Sequence, residues 1–395
     1  MRKIAAHYIF PITSEPIKNG ILTLDDDGTV LDLSQSNENL TEAASVEFYN
    51  GILVPGFVNA HCHLELSHMQ GVISQGSGMG NFCKAIIAKR NFITLDEQQR
   101  KAFAVDKQMF AEGIVAVGDI SNGTSSFNVK RQSPLYYHTF VEYLGFDDSK
   151  ADKIIQQALT VQNEAEQALL AATITPHAPY SMSEKLFAES VALAKSAGIL
   201  SIHNQESADE MELFASDSGG LRGAFKKQAG FSSRLFADYS NPIDRILKYI
   251  DPDTGLLLIH NVYTTNGDIE RTQAVNSNAT WVLCPNSNLY IENTLPDVML
   301  FYRRGVNIAV GTDSFSSNTS ISVLDELKTL NLRFPQIPLH TLLLWATLGG
   351  AKALKKDSVF GSFDIGKQPG VTLIEGVDFD NMRLILSSKS TRLLH

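Results

Sequence analysis

Ten histidines occur in the 395 residues, and five of them, His61, His63, His177, His203 and His260, stand where an apolar, strand-like run ends. The first two lie one residue apart in GILVPGFVNAHCHLELSH, residues 51–68. Side chains alternate faces along a strand, so His61 and His63 point the same way and Cys62 points the other. Two neutral imidazoles delivered to one place are half of a metal site. His203 closes AGILSIH, His260 closes GLLLIH, and Asp313 follows VNIAVGT. Any one of these alone reads as a capping or surface residue; together they read as a cluster across the mouth of a barrel.

Three imidazoles and one carboxylate, His61, His63, His203 and Asp313, with water suit one divalent ion of the Zn or Fe(II) type. A bridged pair of metals needs a further ligand, typically a modified lysine at the end of strand four, and TITPHAPYSM there contains none. A single metal ion is therefore expected, Zn2+ first and Fe2+ as the alternative. Glu206 follows His203 by three residues, in HNQES. A carboxyl group beside a metal and under a lid has a raised pKa and shuttles a proton; the plainer reading is a first-turn glutamate satisfying a helix N-terminus. Four protein groups and water fill the ion, which casts His260 as a neighbouring base. Asp313 ligates and shares the water's proton with it.

The elements that position these residues repeat a strand, loop, helix grammar. Apolar strand-like runs fall at 52–59, 114–120, 135–144, 170–175, 199–203, 256–260, 280–284 and 306–310, with amphipathic segments at 150–168, 184–197, 242–250, 268–275, 321–332 and 340–355. Eight alternations predict a (β/α)8 TIM barrel over 53–355, with active residues at the C-terminal strand ends. The rival, an open doubly wound sheet, lacks a glycine-rich phosphate turn after its first strand. Residues 1–52 and 356–395 read as short strands, including a hairpin turning at Asp27-Gly28, and are expected to build one small β-sandwich from both chain ends. Residues 212–241 form a long connection rich in Gly and Phe, which predicts a lid.

Composition bounds the partners. With 44% hydrophobic and 19% charged residues the chain buries a large core. A formal net charge of −10 argues against polymeric nucleic acid, which is held through clustered Lys and Arg. Three scattered cysteines point to a reducing compartment, and neither a secretory leader nor a membrane-length apolar run is visible. The expectation is a cytoplasmic protein acting on a small molecule, with no membrane partner.

The motifs PGFVNAHCH, TPHAPYS, HNQES, IHNVYT, CPNSN, GTDSFSSN and ATLGGAKAL stand in this order along the chain. In this the chain resembles the amidohydrolase superfamily, specifically its aminohydrolase branch of adenosine-type, guanine and cytosine deaminases and chlorohydrolases. The resemblance implies a barrel with a flanking β-sandwich, a mononuclear metal site, frequent homodimers and hydrolytic deamination of an amino-substituted nitrogen heterocycle, a purine base or a modified adenosine nucleoside. Carried over by position, His61, His63, His203 and Asp313 match the metal ligands and Glu206 the proton shuttle. His260 matches the histidine that helps to activate water, and His177 a residue contacting the substrate or developing oxyanion. HLELSH and FVEYLG look more like aminodeoxyfutalosine deaminases than methylthioadenosine deaminases. GNFCKAIIAKR lacks the acidic residue with which the latter grip ribose hydroxyls, a departure that tells against ordinary adenosine. Glu65 and Glu142 are the candidates to replace that polar contact, or are structural partners under the barrel rim. KQPGVTLIEG departs from the usual alanine-aspartate-leucine pattern, which touches the sandwich alone. Two other readings keep the scaffold: hydrolysis of a C–Cl or cyclic amide bond, and an inactive scaffold. Inactive relatives lose ligands, and none is lost here.

Overall fold

The computed structural model describes residues 1–35, 45–229 and 236–394. The chain first lays down Arg2–Ile9 (β1), Ile17–Lys18 (β2), Gly20–Leu24 (β3), Val30–Gln35 (β4) and Glu47–Pro55 (β5). The turn between β3 and β4 falls at Asp27-Gly28, where Gly28 takes φ +83° and donates its N–H to Asp25 O at 3.1 Å. There follow Phe57–Cys62 (β6), Ile114–Ser121 (β7), Tyr136–Tyr143 (β8), Ala171–Pro176 (β9), Ile199–Asn204 (β10), Gly255–His260 (β11), Thr280–Leu283 (β12) and Asn307–Val310 (β13). Val371–Asp378 (β14) and Arg383–Leu394 (β15) then return to the first sheet, giving one seven-stranded unit in the order β15-β14-β5-β1-β3-β4 with β2 on β1. Both chain ends thus build the flanking sheet.

Strands β6 to β13 form two parallel arcs, β6-β7-β8-β9 and β10-β11-β12-β13, the sheet order repeating the chain order. Their residues are buried almost throughout, as strands covered by helices on one face and packed on the other must be. The arcs meet at two seams to make the eight-stranded barrel. At β9/β10 the Thr175 hydroxyl donates to Ser201 O and accepts Ser201 N–H, and His203 N–H bonds His177 O at 3.0 Å. At β13/β6 the N–H groups of Thr312 and Asp313 both reach His61 O, at 3.0 and 3.1 Å. The backbone that joins the two arcs at these seams is therefore the backbone that carries His61, His203 and Asp313.

One segment differs from the sequence expectation. The run 52–59 is not one strand: Ile52, Leu53 and Val54 belong to β5 of the flanking sheet, and the barrel strand begins at Phe57. Gly56 makes the break, because a Cβ there would lie 2.2 Å from Val115 Cγ1 and 2.7 Å from Pro369 O. The segment 212–241 is largely helical, in Ala208–Ser216 and Gly219–Ala229; its residues 230–235 lie outside the described residues. Ser207 caps the first of these helices by accepting Glu210 N–H. Among the described residues no helix is long and apolar enough to cross a membrane.

Candidate active site

His61 sits within β6 and His63 just past its end, and their Nε2 atoms face each other at 3.2 Å. Asp313 Oδ1 lies 3.7 Å from the first and 3.4 Å from the second. His203 Nδ1 sits 2.8 Å from His177 O, a contact that only Nδ1–H can make, which leaves Nε2 of His203 as the lone-pair nitrogen. Burial pushes the imidazoles of His63 and His260 well below their ordinary range, and those of His203 and His177 down to about 4. These rings are neutral at pH 7, the form that binds metal. With lone pairs on both Nε2 atoms, the pair would be two nitrogen donors 3.2 Å apart facing one cation. His61, His63 and Asp313 form one group with donor atoms within 4.8 Å of each other, and His61, His203 and His260 form another. The donor set fits a divalent metal ion.

The carboxylate is held on both sides. Burial opposes ionisation of Asp313, but the hydrogen bond with His61 and the fields of His63 and His260 outweigh it, keeping the carboxyl well below the usual range. Asp313 Oδ2 accepts the hydroxyls of Ser287, at 2.6 Å, and Ser317. Asp313 (φ +56°) and His260 (φ +75°) both lie in the left-handed region, strain of order 1–3 kcal/mol each that clusters at working sites. Neighbouring bonds enforce it: Asn59 clamps Thr312 through both backbone N–H and hydroxyl, at 3.1 and 2.8 Å.

Glu206 does not cap a helix. Ser207 takes that role, Glu206 N–H is satisfied by Glu210 Oε2 at 2.8 Å, and the Glu206 carboxyl turns to His260 Nε2, 3.3 Å away. Burial raises the Glu206 carboxyl well above its ordinary value, reinforced by the negative fields of Asp313, Glu210, Glu292 and Glu142. His177 lines the same cavity, its Nδ1 2.7 Å from Ser181 Oγ. Glu142 stands at the cavity edge with Oε2 on Asn122 Nδ2, at 2.9 Å, and Oε1 facing His203 Nδ1 at 3.5 Å. Glu65 lies outside the cavity, paired with Arg90 at 2.7 Å and accepting Asn122 N–H at 3.0 Å; burial, opposed by Arg90, lifts its carboxyl to about 7.

The cavity, about 140 Å³, is roofed by an element that the sequence reading did not place there, the helix Met79–Lys89. Met79, Phe82, Ile86 and Ile87 line it together with Leu66, Leu144 and Arg90. The roof is tied down at its N-terminus: Glu292 accepts Met79 N–H at 2.9 Å, and Asp209 accepts the N–H groups of Gly80 and Gly220 at 3.0 and 2.8 Å. Gly80 meets Gly220 so closely that a Cβ would fall 2.6 Å from the Gly220 carbonyl carbon. An adjoining polar cleft of about 590 Å³ shares Leu66, Arg90 and Asn122 with the cavity. Lys130 and Asp119 form a fully buried ion pair at 2.5 Å, and Asp119 Oδ1 accepts Leu64 N–H at 2.7 Å, pinning the turn after His63.

Buried neutral imidazoles and a depressed carboxylate at the C-terminal mouth of a parallel barrel, beside a carboxyl that burial raises well above its ordinary range, fit a metal-dependent hydrolase. The chain belongs to the amidohydrolase family, which its residues 52–389 match. An adenosine deaminase of Helicobacter pylori is 31% identical over 315 residues, covering 78% of this chain and 75% of that protein. The fold is shared with a Helicobacter pylori aminofutalosine deaminase solved in complex with methylthio-coformycin, at TM-score 0.84 and 23% identity, covering 100% of this chain and 98% of that one. It is shared too with an adenosine deaminase from Xanthomonas campestris with bound zinc, at TM-score 0.74 and 21% identity, covering 94% and 84%.

Proposed function

We propose that the protein is a hydrolytic deaminase of 6-aminopurine nucleosides whose 5′ end carries an apolar substituent, with one zinc ion held by His61, His63, His203 and Asp313. The observation that carries the chemistry is the buried Glu206 carboxyl, 3.3 Å from His260 and inside the cavity that the cluster floors. The ion supplies a water acidic enough to act as a nucleophile near neutral pH. His260 and Asp313 orient that water and take its proton. As the new C–O bond forms at the ring carbon bearing the amino group, Glu206 gives its proton to the adjacent ring nitrogen. Asp313 then passes the proton taken from the water to the amino group, the C–N bond breaks as the hydroxyl's remaining proton returns to Glu206, and ammonia leaves with an oxo-purine as the second product. His177, with Nδ1 engaged by Ser181, lines the cavity and offers its other nitrogen to the substrate as a polar contact.

The apolar roof supports the substrate class. Met79, Phe82, Ile86 and Ile87 offer no group to a free 5′-hydroxyl but favour burial of a hydrocarbon or aryl extension. Glu142 lines the cavity with Oε2 on Asn122 and Oε1 buried without a hydrogen-bond partner, which keeps it a candidate for a polar contact with the substrate. Zinc agrees with the ion bound in the Xanthomonas campestris structure, and a modified nucleoside with the ligand of the Helicobacter pylori one. The test is a coupled ammonia assay over adenosine, 5′-deoxyadenosine, 5′-methylthioadenosine and a 5′-aryl-extended adenosine, alongside chloride release from 6-chloropurine riboside. The expected result is kcat/KM rising with apolar bulk at the 5′ end. No ammonia from any member, or chloride release alone, overturns the reading. Metal analysis of protein purified without chelator is expected to give one zinc per chain.

A further inference from the structure

The helix Pro285–Glu292 starts where β12 ends, and its first turn carries Ser287 and Asn288, 0% and 2% exposed. Neither lines the cavity, so neither meets substrate. Each reaches one of the two groups assigned to the attacking water. Ser287 Oγ donates to Asp313 Oδ2 at 2.6 Å, and the Asn288 side-chain amide lies 3.1 Å from His260 Nδ1. Both recipients sit at strained backbone positions, φ +56° and +75°, where small displacements of the chain would swing the side chains. With Ser317 also donating to Asp313 Oδ2, that oxygen is saturated and Oδ1 alone is left facing His61 and His63.

We infer that Ser287 and Asn288 act as one positioning device, a two-residue clamp that aims Asp313 and His260 together at the same water. The inference rests on the deaminase reading for its kinetic consequence, and on geometry alone for its structural one. An amide suits the His260 contact in a way a carboxylate or hydrocarbon would not. A ring whose Nε2–H points to Glu206 needs a donor at Nδ1, and a ring whose Nε2 is bare needs an acceptor there. Rotation of the Asn288 amide offers either with the same shape. Asn288 makes no other side-chain hydrogen bond among the described residues, and its Oδ1 is buried without a partner, so the group is free to take either orientation. Adjacent placement on one rigid helical turn makes the two contacts rise and fall together. A helix whose first turn merely satisfied itself would have no need of two polar side chains aimed away from it.

The experiment uses the zinc-loaded full chain and the variants Ser287→Ala, Ser287→Thr, Asn288→Leu and Asn288→Asp, assayed on whichever nucleoside the wild type deaminates best. Removal of either contact is expected to lower kcat by about 10–100-fold, the usual weight of an orienting partner, with KM within about threefold and zinc still at one per chain. Ser287→Thr keeps a hydroxyl and is expected to restore most of the loss; Asn288→Asp accepts but cannot donate, and is expected to recover only part of it. In parallel, long-range proton-nitrogen spectra of histidine-labelled protein report the His260 ring directly, with its signals assigned by their absence in His260→Asn. A shift of the His260 tautomer populations in Asn288→Leu is the supporting outcome. Unchanged kcat together with unchanged His260 signals in Asn288→Leu overturns the clamp, as does a loss that appears in KM or zinc content with kcat preserved. A wild type that releases no ammonia overturns the deaminase reading instead, and the spectra then decide the clamp alone.

Discussion

Replacing Glu206 by Gln separates two things the structure says about this carboxyl. The group is 6% exposed and held well above its ordinary pKa, first by burial and then by four neighbouring carboxylates. Glutamine keeps its shape, cannot ionise and cannot give up an acidic proton. For the reaction, loss of a positioned acid costs on the order of 10²–10⁴ in kcat, equivalent to about 3–5 kcal/mol of transition-state stabilisation. Zinc content is expected to stay unchanged, because Glu206 faces His260 and not the His61–His63 pair. For stability the sign is opposite. A carboxyl whose folded pKa is raised holds its proton more tightly in the native state, so native stability falls as pH climbs from the ordinary value near ~4.3 towards the raised one. Each unit of elevation withdraws about 1.4 kcal/mol once the pH has passed it.

The comparison is best made on chelated protein, unfolded by denaturant at pH 5 and pH 8. Wild type should lose stability across that interval relative to Glu206→Gln. Other titrating groups cancel from the difference. Glu210, lifted to about 8 by burial, contributes with the same sign in both proteins. The buried histidines contribute with the opposite sign, again in both: burial lowers their folded values, so their penalty is relieved as pH rises. Asp313 is held below the usual range, and its contribution is lost only at pH values under this window. Full activity in Glu206→Gln refutes the proton shuttle. Equal pH dependence of the two proteins refutes the claim that burial has stored energy in this carboxyl.

Three further perturbations test the supports around the site. Lys130→Met leaves Asp119 as an uncompensated buried charge and is expected to cost about 3–5 kcal/mol in denaturant unfolding, with Asp119→Asn added to it recovering much of the loss. Phe82→Ala removes part of the apolar roof, about 1–2 kcal/mol of contact; kcat/KM for 5′-methylthioadenosine should fall roughly 5–30-fold while that for adenosine stays within about twofold. Gly80→Ala drives a methyl into the Gly220 backbone and should shift the roof helix, seen as a raised KM at nearly constant kcat and full zinc content.

What could be read in the residues and what could not divides along a physical line. A strand has period two and a barrel strand ends at the active face, so the sequence pattern assigned His61, His63, His203 and His260 a direction and a depth, and the structure sets His61 in two groups of donor atoms, one with His63 and Asp313 and one with His203 and His260. These positions depend on local geometry repeated eight times. The break at Gly56 does not: a glycine between two apolar runs leaves the periodicity unaltered, and only the approach of Val115 and Pro369 from distant strands shows that the chain leaves one sheet for another there. The roof is the same case. Met79, Phe82 and Ile86 have the spacing of any amphipathic helix, and what turns their apolar face to the cavity is a contact between Gly80 and Gly220, 140 residues apart, pinned by Asp209. Glu65 and Glu142 show the consequence for side-chain roles. Both were candidates to replace a missing acidic contact with the substrate, and each has a partner that no pattern reveals: Arg90, just past the roof helix, pairs with Glu65 outside the cavity, and Asn122 holds one oxygen of Glu142, which still lines the cavity. The chemistry of this site is therefore written in strand ends, and its selectivity in the loops and helices packed across them, where a substrate preference has to be measured.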